Sequence, residues 1–393
     1  MTRKTLTRIM DLTQEQILSN AKLWQEMNES KSLTKHAPYK YDYLVFIGRL
    51  QPPTLAHKQI IQSALALSER VIVVLGSCNS ARTLRNPFTF AERKQMVLSM
   101  FDTPLHDRIL FVAQDDYTYQ DEKWLVQLHV KVKNAILESI PGNLPHMTLH
   151  GMNDVRIGLI GHSKDETSYY LSMFPGWSHE NVPAIKGVDA TLVREALFTL
   201  GTHGVPISLV AEPVLNWMRD WTVSGAYVTL VEEQAFVTKY KQQWANSPYP
   251  PMFVTTDAVV VQSGHILLVK RGAMPGKGMW ALPGGYLNPK ETLEQGMLRE
   301  LREETRLKVP EPVLRGSIQA RETFDDPNRS PRGRTITTAF LIHLKGQREL
   351  PKVKGSDDAA HAQWVPIADL QANELFEDHY AIIQVMLGKL RTT

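Results

Sequence analysis

Glu300, Glu303 and Glu304 stand at i, i+3 and i+4 of a stretch with helical spacing, so a helix there carries three carboxylates on one face. Like charges at that spacing repel by roughly 0.2–0.5 kcal/mol per pair, so a bare helix gains nothing from them. A divalent cation converts the repulsion into coordination, because Mg²⁺ takes oxygen ligands and accepts phosphate co-ligands. Gly284-Gly285 upstream would let a loop backbone approach the same ion, with Gly284 as the candidate ligand. The competing reading is a solvated acidic face. A second constellation lies in GRLQPPTLAH, residues 48–57, where His57 falls at the first turn of a helix. Backbone N–H groups favour an anion there, and an imidazole donates to oxygens that gain charge in a transition state. Far along the chain, Thr191 and Arg194 sit three apart at another helix start, and Asp189 reads as that helix's N-cap. A third is basic. Arg321, Arg329, Arg332 and Arg334 surround Pro327 and Pro331, a stiff loop whose guanidinium forks suit phosphate oxygens. An exposed basic loop is the bland alternative.

These residues need elements to hold them. Short apolar runs Tyr43–Ile47, Val71–Leu75, Ile109–Ala113 and Ile157–Gly161 alternate with helical spacing near 56–69, 90–100, 124–138 and 190–200. Such alternation predicts a parallel sheet with helices on both faces, closed by helices near 213–222 and 229–244. NSPYPPM, residues 246–252, holds three prolines and reads as a linker. Beyond it, strand-like runs Asp257–Val261, Ile266–Lys270, Ile318–Ala320 and Thr335–His343 accompany one helical pattern, Leu293–Leu307, which predicts a smaller α+β unit. Residues 1–40 are a polar extension with one amphipathic helix opened by a Thr13/Gln16 capping box. The expected division is 1–40, 41–245, linker 246–252, and 253–393.

The 393 residues are 43% hydrophobic and 22% charged, ordinary globular material of two-domain length. A net charge of +3 argues against a nucleic-acid or membrane partner. The single cysteine, Cys78, excludes an intramolecular disulfide and suits a reducing compartment. With no apolar run near the ~18 residues of a membrane span, the expected location is cytoplasmic. A homo-oligomer is left open.

The spacing from Gly285 through Glu291 and Arg299-Glu300-Leu301 to Glu303-Glu304 resembles the Nudix box of nucleoside-diphosphate hydrolases. Its six fixed positions, Leu301 not counted, match by chance on the order of 10⁻⁷ per start position, which sets the solvated-face reading aside. Arg306 departs from the family, which has glycine there for a left-handed turn, and should cost about 1 kcal/mol or force another turn. The loop 321–340 is similar to that of Nudix ADP-ribose pyrophosphatases, which implies substrate roles for Arg321, Phe324, Asp325, Arg329, Arg332 and Arg334. GSDDAAHAQW, 355–364, resembles the same subgroup, with Asp357 or Asp358 a further carboxylate.

GRLQPPTLAH resembles the GRFQPxHxGH signature of nucleotidyltransferases, with Thr54 and Ala56 as substitutions, and VDATLVREAL resembles ISxTxxR. Phrases at 76–93, 115–124 and 161–175 resemble nicotinamide mononucleotide adenylyltransferases. For that chemistry the resemblance implies His57 and Arg194 as catalytic residues. It implies nucleotide binding by Gly48, Arg49, Thr54, Asn86, Trp124, Lys164, Asp165 and Thr191, with Asn86 and Trp124 on the nicotinamide. Core packing is the competing role for Trp124.

In this order the two halves look like the bifunctional nicotinamide mononucleotide adenylyltransferase/ADP-ribose pyrophosphatase family. The expected fold is a Rossmann-like α/β domain with a parallel sheet, then an α+β Nudix domain. The expected partners are ATP, nicotinamide mononucleotide, NAD and ADP-ribose, with Mg²⁺ as cofactor and Mn²⁺ as its alternative. Two rivals remain: a transferase acting on another acceptor such as phosphopantetheine, and a Nudix unit that senses a nucleotide without turnover.

Overall fold

The computed structural model describes residues 39–140, 155–162, 173–185, 187–346, 349–356 and 359–390. The helix and capping box expected within residues 1–40 lie outside them, as do Lys164, Asp165, Asp357 and Asp358.

The first sheet has order β3-β2-β1-β4-β5 and is parallel throughout. Its strands are β1 (Tyr41–Gly48), β2 (Ser68–Leu75), β3 (Ile109–Ala113), β4 (Ile157–Gly161) and β5 (Ser178–Asn181). Alternate residues of a strand face opposite sides, and here the alternation divides two cores. Leu44, Phe46, Val71, Val73 and Leu75 enter one cluster; Tyr43, Val45, Ile72 and Val74 enter the other. Helices α1 (Leu55–Leu67), α2 (Phe90–Leu98), α4 (Ala190–Leu200) and α5 (Glu212–Trp221) cover the first face. Helix α3 (Asp121–Ser139) covers the second through Leu125, Leu128, Val132 and Ile136. Helix α6 (Gly225–Gln242) closes this half.

After residues 243–251 a seven-stranded mixed sheet begins, with β10-β11-β6-β7-β12 in a row. The strands are β6 (Met252–Gln262), β7 (His265–Arg271), β8 (Trp280–Ala281), β9 (Gly284–Tyr286), β10 (Ile318–Phe324), β11 (Arg334–His343) and β12 (Ala359–Pro366). Among the described strands of this sheet, only β6 and β11 pair in parallel. Strand parity again makes two cores. Ala258, Val260 and Phe340 pack under α7 (Leu293–Thr305), while Val259, Val261 and Leu341 pack under α9 (His379–Leu387). The short α8 (Glu311–Gly316) precedes β10. Among the described residues no helix is long and apolar enough to cross a membrane.

Candidate active sites

In the parallel sheet, β2 and β3 lie on one side of β1 while β4 and β5 lie on the other. The carboxyl ends of β1 and β4 therefore part around a crevice, the place where open α/β sheets bind ligands. A cavity of about 200 Å³ opens there, lined among others by Arg49, Thr54, His57, His162, Thr191 and Arg194. The residues that sequence brought forward from two distant motifs thus meet.

His57 occupies the third position of α1 and closes a capping box with Thr54. Its Nδ1 accepts from the Thr54 amide at 2.9 Å. An amide only donates, so Nδ1 carries no hydrogen in this geometry and the ring presents Nε2–H as its donor. Arg194 donates to the Gln51 carbonyl at 2.7 Å and to the Thr191 hydroxyl at 3.2 Å. Asp189 caps α4 by accepting from the Thr191 amide at 2.7 Å, the role its sequence position indicated. Arg49 reaches Asn86 at 3.4 Å. Burial, with repulsion from Arg85 and Arg194, pushes the Arg49 guanidinium down to about 10. Burial also lowers Arg194. Both stay cationic at neutral pH, and among the described residues neither forms an ion pair; with Asp189 the single carboxylate among the described residues lining the cavity, the two guanidinium groups leave the crevice suited to an anion.

Three contributors were not singled out from sequence. Arg93 is fully buried and donates to the carbonyls of Arg49 at 2.6 Å and Gly76 at 2.7 Å, tying the ends of β1 and β2 together. Gln51 exchanges two hydrogen bonds with the Phe88 backbone, both 2.9 Å, which fixes the 48–54 loop against the loop that carries Asn86. His162 Nδ1 donates to the Val182 carbonyl at 2.7 Å and its buried Nε2 has no hydrogen-bond partner among the described residues. All three lie within the stretches 48–57, 76–93 and 161–175, but their roles rest on backbone partners remote in sequence, which spacing does not reveal. Gly48 permits a tight bend, since a Cβ there would sit 2.7 Å from Leu50 Cδ1. Trp124 packs into the apolar cluster under α3 and does not line this cavity.

The acidic site lies where β9 meets α7. Thr292 and Gln295 cap the helix reciprocally, and Met297, Leu298 and Leu301 anchor it on the sheet. Arg299 is the organiser of the outward face. Its fork donates to Glu291 at 2.7 and 3.0 Å, to Glu300 at 2.7 Å and to Glu303 at 2.9 Å. That holds the Glu291 carboxyl down at about 2. Glu304 is different: mostly buried, it accepts from the Gly284 amide at 2.9 Å. Burial, with Glu300 and Asp257 nearby, pushes its carboxyl up to about 8. Gly284 is sterically required, since a Cβ there would collide with the Thr256 backbone carbonyl, whereas a Cβ on Gly285 would only displace the Glu300 carboxylate. A Cβ on Gly285 would lie 2.5 Å from a Glu300 oxygen, and one on Gly284 would lie 2.5 Å from Asp257 Oδ1. Arg306 takes the left-handed conformation, φ 47° and ψ 34°, so the turn glycine would make is kept with a side chain in it.

Among the described residues no three His, Cys, Asp or Glu side chains converge as a ready-made metal cage. A small divalent cation nevertheless fits this donor set. Such ions commonly bind through one or two carboxylates plus substrate phosphates, and the buried, proton-retaining Glu304 beside Glu300 is a pair that a cation would relieve.

The arginine loop is partly committed within the protein. Arg329 makes a bidentate pair with Asp378 at 2.8 and 2.9 Å, with both side chains almost wholly buried. Phe324 is 1% exposed and belongs to the core under α9. Arg332 lies over the Tyr286 and Phe376 rings, and Arg334 is held by Asp325. Arg321 points to solvent from β10. A large cavity of about 650 Å³ is lined by Arg329 and Arg334 from this loop and by Arg49, Asn86, Thr191 and Arg194 from the first half.

The family model for the NUDIX domain matches residues 252–386, and that described as cytidylyltransferase-like matches residues 45–137. Over 161 residues the chain is 44% identical to a nicotinamide/nicotinic acid mononucleotide adenylyltransferase of Acinetobacter baylyi, which covers 41% of this chain and 77% of that relative. Over 131 residues it is 34% identical to an ADP-ribose pyrophosphatase of Methanocaldococcus jannaschii, covering 33% of this chain and 70% of the relative. A crystal structure of a bifunctional NMN adenylyltransferase/ADP ribose pyrophosphatase from Francisella tularensis, complexed with AMP and an Mn ion, superposes with a TM-score of 0.79 at 34% identity. The match covers 89% of this chain and 99% of that one.

Proposed function

The chain belongs to the bifunctional NMN adenylyltransferase/ADP-ribose pyrophosphatase family, and from that premise we propose how its residues divide two reactions. The half built on the parallel sheet, 41–245, transfers AMP from ATP to nicotinamide mononucleotide, giving NAD and pyrophosphate. The half at 253–393, joined through 246–252, hydrolyses ADP-ribose to AMP and ribose 5-phosphate.

In the first reaction the 5′-phosphate of nicotinamide mononucleotide attacks the α-phosphorus of ATP and pyrophosphate leaves. The chain contributes position and charge rather than a covalent intermediate. His57 Nε2–H donates to the α-phosphate, where negative charge develops; Arg49, Arg194 and Thr191 hold the phosphates; Asn86, beside Arg49, holds the nicotinamide end, while Trp124 takes the core-packing role. The observation that supports this reading is the convergence of Arg49, Arg194 and His57, the two arginines forming no ion pair among the described residues, at the point where the strand order reverses.

In the second reaction water attacks the diphosphate of ADP-ribose. A divalent cation, with Mg²⁺ as our assignment, neutralises diphosphate charge when bound. Glu300, Glu303, Glu304 and the Gly284 carbonyl are its proposed holders. Arg299 keeps Glu300 and Glu303 oriented, and Arg321, Asp325, Arg332 and Arg334 face the substrate. The test is incubation with ATP, nicotinamide mononucleotide and Mg²⁺ or Mn²⁺, and separately with ADP-ribose, with products identified by chromatography. NAD from the first and AMP from the second are expected; ADP-ribose bound but unchanged would instead favour a sensing unit.

A further inference from the structure

We propose that Tyr119, a residue of the parallel-sheet half, positions the substrate loop of the hydrolase in the other half. This rests on the reading of residues 321–334 as the ADP-ribose loop. Tyr119 follows β3 and precedes α3, yet its partners are all near the other sheet. Its hydroxyl donates to Asp378 Oδ2 at 2.8 Å. The Tyr119 hydroxyl oxygen in turn accepts from the Asp326 amide at 3.4 Å. Its ring packs edge-on against Phe324, with centroids 5.0 Å apart.

The placement is specific. Asp326 opens a turn whose last residue is Arg329, the Arg329 amide donating to the Asp326 carbonyl at 3.2 Å. Arg329 is itself clamped to Asp378. One hydroxyl therefore touches both ends of the 326–329 turn, the head directly and the tail through Asp378. Ser330, Gly333 and Arg334, which follow, line the large cavity shared by the two halves. The hydroxyl remains a donor at neutral pH, because burial and the neighbouring Asp378 carboxylate raise its pKa. Tyr119 also has φ 72°, a backbone conformation that bulky residues avoid. Such a residue persists where its surroundings over-determine it, and the three contacts on its side chain are those surroundings.

A loop fixed before substrate arrives loses less freedom on binding, so Tyr119 acts on substrate capture rather than on the chemical step. The test is Tyr119→Phe in the full-length chain, which keeps the ring on Phe324 and removes only the hydroxyl. KM for ADP-ribose should rise roughly tenfold, the scale of one hydrogen bond to a charged group, with kcat within about twofold. Amide exchange across 326–334 should quicken, while NAD synthesis and the thermal midpoint stay unchanged. Unchanged KM overturns the proposal, whether or not exchange quickens. A joint fall of kcat, NAD synthesis and thermal midpoint also overturns it, since that is the signature of lost packing. Amide exchange does not depend on what the hydrolase acts on. If the wild-type chain leaves ADP-ribose intact, the functional reading fails, and exchange in 326–334 alone decides: quickening sustains positioning by Tyr119, and no change overturns it.

Discussion

His57 illustrates how little a residue type says until its hydrogen bonds are known. Thr54 occupies Nδ1, so only Nε2–H is offered as a donor. His57→Ala should lower adenylyl transfer by about 10²–10³, the scale of losing one transition-state donor. ADP-ribose hydrolysis should continue in the same preparation; equal loss of both in a folded protein would remove His57 from its assigned role. Arg306 carries a prediction of the opposite sign. It sits at φ 47°, where a Cβ is strained, so Arg306→Gly should stabilise the chain by up to about 1 kcal/mol. A thermal or urea melt reads this directly. The motif residues were legible because chemistry fixes their types and spacing. Arg93, Gln51 and Tyr119 were not, because each takes its meaning from groups that only the folded chain brings near.

At the scale of elements, the parallel strands were readable because they are continuous apolar runs, buried on both faces. Ile109–Ala113 and Ile157–Gly161 were bounded correctly to the residue. Strands β8 and β9 have two and three residues, too few for any period to show. Strand β12, AAHAQWVP, shows no clean alternation of buried and exposed positions, and α9 is a short apolar helix, so neither carries a strong periodic signal. Helix α7 was readable from its spacing, but the fork of Arg299 across its face was not. That fork modifies what sequence alone suggests for its glutamates. With a chelator present, Glu304→Gln should leave the thermal midpoint unchanged or higher, because burial pushes the Glu304 carboxyl up to about 8 and an amide resembles the neutral form that burial favours. Glu300→Gln should cost up to about 1 kcal/mol, since it weakens a partly buried ion pair with Arg299. Both should abolish most cation-dependent hydrolysis while NAD synthesis persists. A marked loss of chelated stability in Glu304→Gln would mean that this carboxyl is a structural partner rather than a ligand.

At the scale of the molecule, the proline-rich stretch at 246–252 suggests that residues 252–393 can be produced alone. Their two cores, under α7 and α9, are formed wholly or mainly by their own residues. Tyr119 is one contribution they would lack, as are the rings of Tyr240 and Trp244 against Phe253. The isolated piece should therefore be soluble and hydrolyse ADP-ribose with near-normal kcat but a raised KM, resembling Tyr119→Phe in the full chain. A folded but inert fragment would show that more than substrate capture comes from the first half.

The reach of Tyr119 into the second sheet also has a consequence for inheritance. Codon 119 lies in the reading frame of the transferase, yet selection for efficient ADP-ribose breakdown acts on it. The two activities are thus not free to drift as independent genes would. A lineage that split the frame at the prolines would have to rebuild the 326–329 turn from within the hydrolase or keep the two products associated.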